Sequence, residues 1–310
     1  MTLLADLPVA GASSVVYLGT PEIAVAPLQA LVASGCNVEL VITRPDVRRG
    51  RGNLATASPV KLAAQNLGIR VSESLDDVVA LVKQSDDKDL LGVVVAYGAL
   101  IPMSVLSIVP MINVHFSLLP RWRGAAPVER AILAGDEKTG VCIMRVVEGL
   151  DQGEVYRQGE ISISPTDTLA SVRNNLLSMS LPLLVDAVKN GTGRGVAQTG
   201  EVSYAKKISA QEMQINWGLT ALEIDRLIRV GGAYTNIGDK RLKIIAAKIS
   251  SDTDTTLVVG AISLISRNQC EIRTGAGSIS LVEVQPEGKS VMSVAGWLNG
   301  ARIEPGAVFG

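Results

Sequence analysis

Residues 14–43 read SVVYLGTPEIAVAPLQALVASGCNVELVIT, and the order of patterns within them decides the fold. SVVYLGT is a short β-rich run closing in a turn. PEIAVAPLQALVASG is helical, with Pro21 near its first turn and Gly35 just past its end, and VELVIT is a second β-rich run. The alternation continues with PVKLAAQNLG as a helix, LLGVVVAYG as a strand too uniformly apolar to have a wet face, and INVHFS as a further strand. The expected class is α/β, with a Rossmann-like, mostly parallel sheet covered by helices on both faces. Ligands of such sheets settle beyond the carboxyl ends of the strands, where Gly98, Ser117 and their loops lie.

After TDTLASVRNNLLSMSLPLLVDAVKNG, a helix kinked at Pro182, the chain becomes rich in Gly, Ser and Thr through GTGRGVAQTGEVSYAKK. TALEIDRLIRVG then reads as a helix, and RLKIIAAKI, TLVVGAISLI, QCEIRTG and SISLVEV read as successive strands that a small, OB-like β-barrel would close. The expected organisation is a loose extension over residues 1–13, a catalytic domain over 14–193, a linker over 194–210 and the β-barrel domain over 211–310.

Composition narrows the function classes. A 310-residue chain, 47% hydrophobic and 19% charged, can bury two cores. Its net charge of −1 gives no global attraction for nucleic acid, so any RNA contact must come from local patches. Cys36, Cys142 and Cys270 are too far apart in sequence for a disulfide framework, and one histidine removes most zinc patterns, so no metal is expected. No apolar run reaches the roughly 20 residues of a membrane span. The opening MTLLADLPVAGASS lacks the basic start of a signal peptide. The expected location is cytoplasmic.

The single histidine, His115, lies in INVHFSLLPRWRGAAPVERAI. On a strand, Asn113, His115 and Ser117 share one face, while Val114 and Phe116 share the other. A lone histidine is more often a satisfied loop or core residue than a catalyst. An Asn amide beside an imidazole can, however, hold an oxygen that becomes negative during attack on a carbonyl, and one such donor is worth about 3 to 4 kcal/mol of barrier. A carboxylate would then fix the tautomer and favour the imidazolium. VVEGLDQGEVY offers Glu148, Asp151 and Glu154, and spacing does not choose among them. A turn-forming Asp would look the same.

INVHFSLLPRWRGAAPVERAILAGDEKTGVCIMRVVEGLDQGEVY, residues 112–156, closely resembles the core of the folate-dependent formyltransferases. It carries an Asn-x-His pair, a Ser-Leu-Leu-Pro loop followed by Arg-Gly, and a Gly-Leu-Asp-x-Gly loop. The resemblance implies that Asn113, His115 and Asp151 are catalytic. It also implies that Ser117, Leu118, Leu119 and Pro120, with Tyr97 and Gly98 of the VVVAYG stretch, lie against 10-formyltetrahydrofolate as co-substrate. Phe116 departs from the small or cyclic residue frequent in the family, on the face turned away from the chemistry.

YLGTPEIAVAPLQAL, RPDVRRGRGNLATASPVK and SYAKKISAQEMQINW resemble the branch of that family that acts on methionyl initiator tRNA, which extends the likeness from Val15 over nearly the whole chain. That branch has a β-rich carboxyl-terminal domain that binds tRNA and is expected to be monomeric. Arg44, Arg48, Arg49 and Arg51 form a cationic loop among glycines, suited to phosphates, although short Arg clusters are often plain solvated surface. The resemblance assigns Arg48, Arg49, Arg51, Lys206 and Lys207 to tRNA. Residues 201–310 hold 12 Lys and Arg against 11 Asp and Glu, so contact there must follow a stripe and not a broad field.

Two rivals come from other classes. A dinucleotide-dependent dehydrogenase needs a Gly-x-Gly-x-x-Gly turn and an acidic end to the second strand, whereas here the turn holds only Gly19 and the strand ends in Thr43-Arg44. A catalytically silent RNA-binding protein would not need Asn113, His115 and Asp151 intact. A formyltransferase or formyl-folate hydrolase working on a small acceptor remains the alternative within the family.

Overall fold

A computed structural model describes residues 3–49, 54–84, 89–250, 256–301, 303–304 and 307–310, with side chains 47–49 and 54–55 excepted. The chain divides into two compact units. Unit one comprises Met1–Pro127, Lys138–Ser162 and Arg173–Lys206, and unit two comprises Val128–Glu137, Ile163–Val172 and Lys207–Gly310. Two stretches ahead of the Gly-rich segment therefore group with the C-terminal residues instead of with their sequence neighbours.

Unit one begins with β1 (Ser14–Gly19), α1 (Val25–Ala33) and β2 (Asn37–Ile42). Pro21 precedes a single 3-10 turn, Glu22–Ala24, and Gly35 follows the helix at φ 83°. β3 (Val47–Arg49) and β4 (Leu54–Thr56) pair antiparallel. Next come α2 (Pro59–Asn66), capped by Ser58, whose hydroxyl accepts from the Lys61 amide, then β5 (Arg70–Ser72), α3 (Asp76–Gln84) and β6 (Leu90–Val95). After them follow α4 (Met103–Leu106), β7 (Met111–His115) and β8 (Arg123–Gly124). α5 (Pro127–Ala134) then leads into β9 (Lys138–Arg145), β10 (Val155–Ser162), α6 (Leu169–Lys189) and β11 (Tyr204–Ala205).

Seven strands form one sheet in the order β10-β9-β7-β6-β1-β2-β5. From β7 to β5 all neighbours are parallel, and β9 turns the pairing antiparallel. β1 and β6 are buried along their whole length, as continuous apolar runs require. Val16, Leu18, Leu40, Ile42 and Val94 pack with Val78 of α3 and with Val105 and Leu106 of α4. On the other side of β1 the buried Tyr17 donates its hydroxyl to the Ala24 carbonyl at the start of α1 (2.6 Å). Helices thus cover both faces, as the pattern predicts.

The N-terminal extension is not loose over its described residues. Leu4 packs on the core, the Ala5 amide donates to the Leu106 carbonyl (3.0 Å), and the Ala12 amide donates to the Val188 carbonyl (2.8 Å). Apolar residues near a core edge bury themselves even without regular structure. The segment over 194–210 is likewise more than a tether, because β11 pairs with β8 in parallel.

Unit two contains α7 (Ala221–Val230), with a Thr220/Glu223 capping box, then β12 (Tyr234–Ile237), β13 (Lys240–Ser250) and β14 (Ile262–Ser266). These are followed by β15 (Gln269–Arg273), β16 (Ser278–Pro286), β17 (Met292–Ser293) and α8 (Val294–Ala301). The antiparallel order is β12-β13-β16-β15-β14, with β17 beside β16. The strand expected over TLVVGAISLI is shorter, since Gly260 takes φ 84° and β14 starts only at Ile262. The last residues of the chain link the two sheet edges. Asn236 exchanges backbone hydrogen bonds with Gly310 (3.1 and 3.2 Å), while Ile262 donates to Ala307 and Phe309 donates to Gly260 (each 2.9 Å). Phe309 stacks on Trp217 and Trp297, with centroids at 5.5 and 6.3 Å.

Within this unit Arg130 Nη1 lies 2.8 Å from Glu212 Oε2. That bond, helped by the Ser209 amide, holds the Glu212 carboxyl down at about 2 against an ordinary 4.5. A depressed folded value stabilises the fold above the unfolded pKa, and the gain is lost as pH falls through the folded one. The pair is partly exposed, so the effect is small. Glu212→Gln should lower the urea midpoint slightly near neutral pH, and the gap to the parent should close between about pH 4.5 and 2. A gap persisting undiminished at the acid end would contradict this.

Candidate active site

His115 ends β7, so its ring emerges at the carboxyl end of a parallel strand. Strand alternation puts Asn113 and His115 on one face, while Val114 and Phe116 are buried. The imidazole is 5% exposed and held on two sides. Nε2 lies 2.9 Å from the Trp122 carbonyl, which can only accept, so Nε2 carries a hydrogen. Nδ1 lies 3.6 Å from Asp151 Oδ2. In the charged form both ring hydrogens therefore face oxygen acceptors.

Asp151 reaches this place because the loop after β9 turns back toward the end of β7. Its backbone is left-handed (φ 50°), and its Oδ2 also accepts from the Gly124 amide (2.8 Å). Of the three carboxylates open to sequence reasoning, Glu148 is exposed, and Glu154 lines a cavity with Arg145, Tyr156 and residues of the N-terminal extension. Asp151 alone of the three meets His115. Asn113 is half-buried, and its amide makes no hydrogen bond to a described residue, so it is a donor in waiting.

The Ser117–Pro120 loop folds tightly beside this group. Ser117 is fully buried and donates its hydroxyl to the Arg121 carbonyl (2.6 Å), the Arg121 amide returns to the Leu118 carbonyl (3.1 Å), and the Leu119–Pro120 peptide is cis. Trp122 is left-handed (φ 63°), which aims its carbonyl at His115. Non-glycine residues in that region cluster where surrounding structure over-determines them. The third such residue, Ala96 (φ 46°), begins the turn after β6 that also holds Tyr97 and Gly98. Thr20 donates to the Tyr97 carbonyl (3.0 Å), and a side chain added at Gly98 would meet only open space. Burial raises the Tyr97 phenol against the opposing effect of Arg44, which bonds to it.

Cys142 stands opposite His115 across β7 and β9, but burial pushes its thiol up to about 11, so it is no nucleophile at neutral pH. Among the described residues no group of His, Cys, Asp and Glu could hold a metal ion. No described helix is long and apolar enough to cross a membrane. Of the cationic residues singled out in the sequence, Arg48 and Arg49 lie on β3 without described side chains, and Arg51 lies outside the described residues. Lys206 and Lys207 are exposed at the junction of the two units in sequence. Sequence reasoning missed Gln198 and Ser203, which stand in the Gly-rich segment. The Ser203 hydroxyl accepts from the Trp122 amide (2.9 Å) and its carbonyl from the Arg123 amide (2.9 Å).

Residues 13–188 match the formyl transferase family, and residues 207–302 match its C-terminal domain. The chain belongs to the formyl transferase family. It is 39% identical to the methionyl-tRNA formyltransferase of Roseobacter denitrificans over 304 residues, covering 95% of this chain and 98% of that protein. It is 40% identical to the methionyl-tRNA formyltransferase of Streptomyces griseus over 308 residues, covering 95% and 99%. Among solved structures, an N-formyltransferase of Helicobacter canadensis in complex with folinic acid and dTDP-3-aminofucose shares the fold at TM-score 0.63. It is 19% identical, covering 86% of this chain and 98% of that one. HypX of Aquifex aeolicus with tetrahydrofolic acid matches at TM-score 0.62 and 14% identity, covering 93% of this chain and 47% of that one.

Proposed function

We propose that this chain transfers a formyl group from 10-formyltetrahydrofolate to the α-amine of methionyl initiator tRNA. The observation that carries the proposal is the Asn113 amide, without a hydrogen-bond partner among the described residues, beside an imidazole that faces a carboxylate, in a chain alike over 95% of its length to methionyl-tRNA formyltransferases. The folate supplies the formyl group. Asn113 donates to the formyl oxygen as it turns anionic. His115 donates from Nε2 to that same oxygen, exchanging the Trp122 carbonyl for the stronger acceptor. Asp151 keeps the imidazolium compensated and passes the proton that the attacking amine loses on to N10 of the folate, which leaves as tetrahydrofolate when its bond to the formyl carbon breaks. Placing two substrates side by side and stabilising charge on one oxygen account for the rate.

The turn at Tyr97 and Gly98 and the loop Ser117, Leu118, Leu119 and Pro120 receive the folate. The open space above Gly98 suits a flat ring approaching backbone. Arg48, Arg49, Arg51, Lys206 and Lys207 contact tRNA phosphates, in a cytoplasmic, monomeric enzyme without a metal. The sugar formyltransferase with the same fold is the specific reason to keep a small-molecule acceptor as the second reading. Formylation with labelled formyl folate and three parallel acceptors separates them. Charged initiator tRNA should be labelled, and a purine precursor and a nucleotide amino sugar should not. Label on either small acceptor instead, or release of free formate with none on tRNA, would replace the proposal.

A further inference from the structure

We propose that Gln198 is a positioning residue of this site, the side chain that holds the Asp151 loop against the imidazole. Ala197 and Thr199 on either side of it are exposed, whereas Gln198 is half-buried and every hydrogen-bonding position of its amide is used. Nε2 donates to the Asp151 carbonyl and to the Gly153 carbonyl, both at 2.8 Å. Oε1 accepts from Arg123 Nε at 3.1 Å and from Arg123 Nη2 at 2.6 Å.

The direction of these bonds fixes the residue type. Two backbone carbonyls can only accept and a guanidinium can only donate, so the group between them must offer two hydrogens on one side and two lone pairs on the other. A carboxylate fails the first demand and an ammonium fails the second. The amide therefore ties together the two loops that grip His115. One carries Asp151, which faces Nδ1; the other carries Arg123, next in sequence to Trp122, whose carbonyl meets Nε2. Asp151 holds a left-handed backbone, and its carbonyl is pinned from outside by Gln198 while its carboxylate is pinned from inside by Gly124. Released from Gln198, the loop can relax, and Asp151 moves off the ring.

The chain offers a direct readout, because His115 is its only histidine and ¹⁵N-histidine labelling gives one imidazole signal set. In Gln198→Ala and in Gln198→Glu, the ring nitrogen shifts should move toward those of an Asp151→Ala enzyme. Gln198→Glu keeps the size and the Arg123 contact but loses both donors, so it tests the loop bonds even if the Ala variant folds poorly. The kinetic arm rests on the formyl-transfer reading. There kcat should fall on the order of 10- to 100-fold, as misplacing a reacting group by about 1 Å does, with KM for charged tRNA unchanged. A Gln198→Glu protein with the parental imidazole spectrum overturns the proposal, as does a change confined to KM. If the parent formylates no acceptor, the functional reading falls, while the spectra still decide the role of Gln198.

Discussion

Asp151→Asn is expected to reduce kcat for formyl transfer by about three orders of magnitude while leaving tRNA binding intact. The substitution preserves size and removes charge. In the parent one oxygen, Oδ2, both accepts from the Gly124 amide at 2.8 Å and faces His115 Nδ1 at 3.6 Å. An asparagine can place its oxygen there but leaves the imidazolium without a compensating charge, and its amide cannot take the proton that the amine sheds. His115→Ala should cost a similar factor. The double variant should be little worse than either single one, since two groups acting as a unit lose their effect once. Single-turnover formylation at saturating folate, with filter binding of charged tRNA as control, measures all three. An Asp151→Asn enzyme within tenfold of the parent would end the role given to this carboxylate.

The elements whose reading succeeded are those where one physical demand dominates. β1 and β6 are buried throughout, as their unbroken apolar runs require. Asn113 and His115 share a face by strand alternation alone. Spacing left the carboxylate partner open and only the family resemblance singled out Asp151, because its approach to His115 depends on a loop that returns across the sheet end with a left-handed aspartate, and local sequence does not encode where a loop returns. Gln198 was invisible for a related reason. A single inward polar residue within a Gly- and Ser-rich stretch has no periodicity, and only its four hydrogen bonds reveal it. The same holds for the grouping of Val128–Glu137 and Ile163–Val172 with the C-terminal unit, which no composition shift marks.

Asn113→Ala should lower kcat by a factor on the order of 10² to 10³, the usual effect of deleting one donor to a developing oxyanion. The reason to expect the full factor lies in what the amide is doing at rest. His115 is already bonded at Nε2 to the Trp122 carbonyl, so its gain on meeting the formyl oxygen is an exchange of acceptors. Asn113 has no described partner to give up, and its whole bond is made as charge grows. An interaction made only at that stage raises kcat without tightening ground-state binding, so KM for both substrates should stay within about twofold. Asn113→Asp sharpens the argument. It is nearly isosteric, yet it sets a carboxylate against an oxygen that is becoming negative, and it should be slower than Asn113→Ala. If the aspartate variant instead outperforms the alanine one, Asn113 serves packing or folate placement, and the oxyanion must be held by His115 alone.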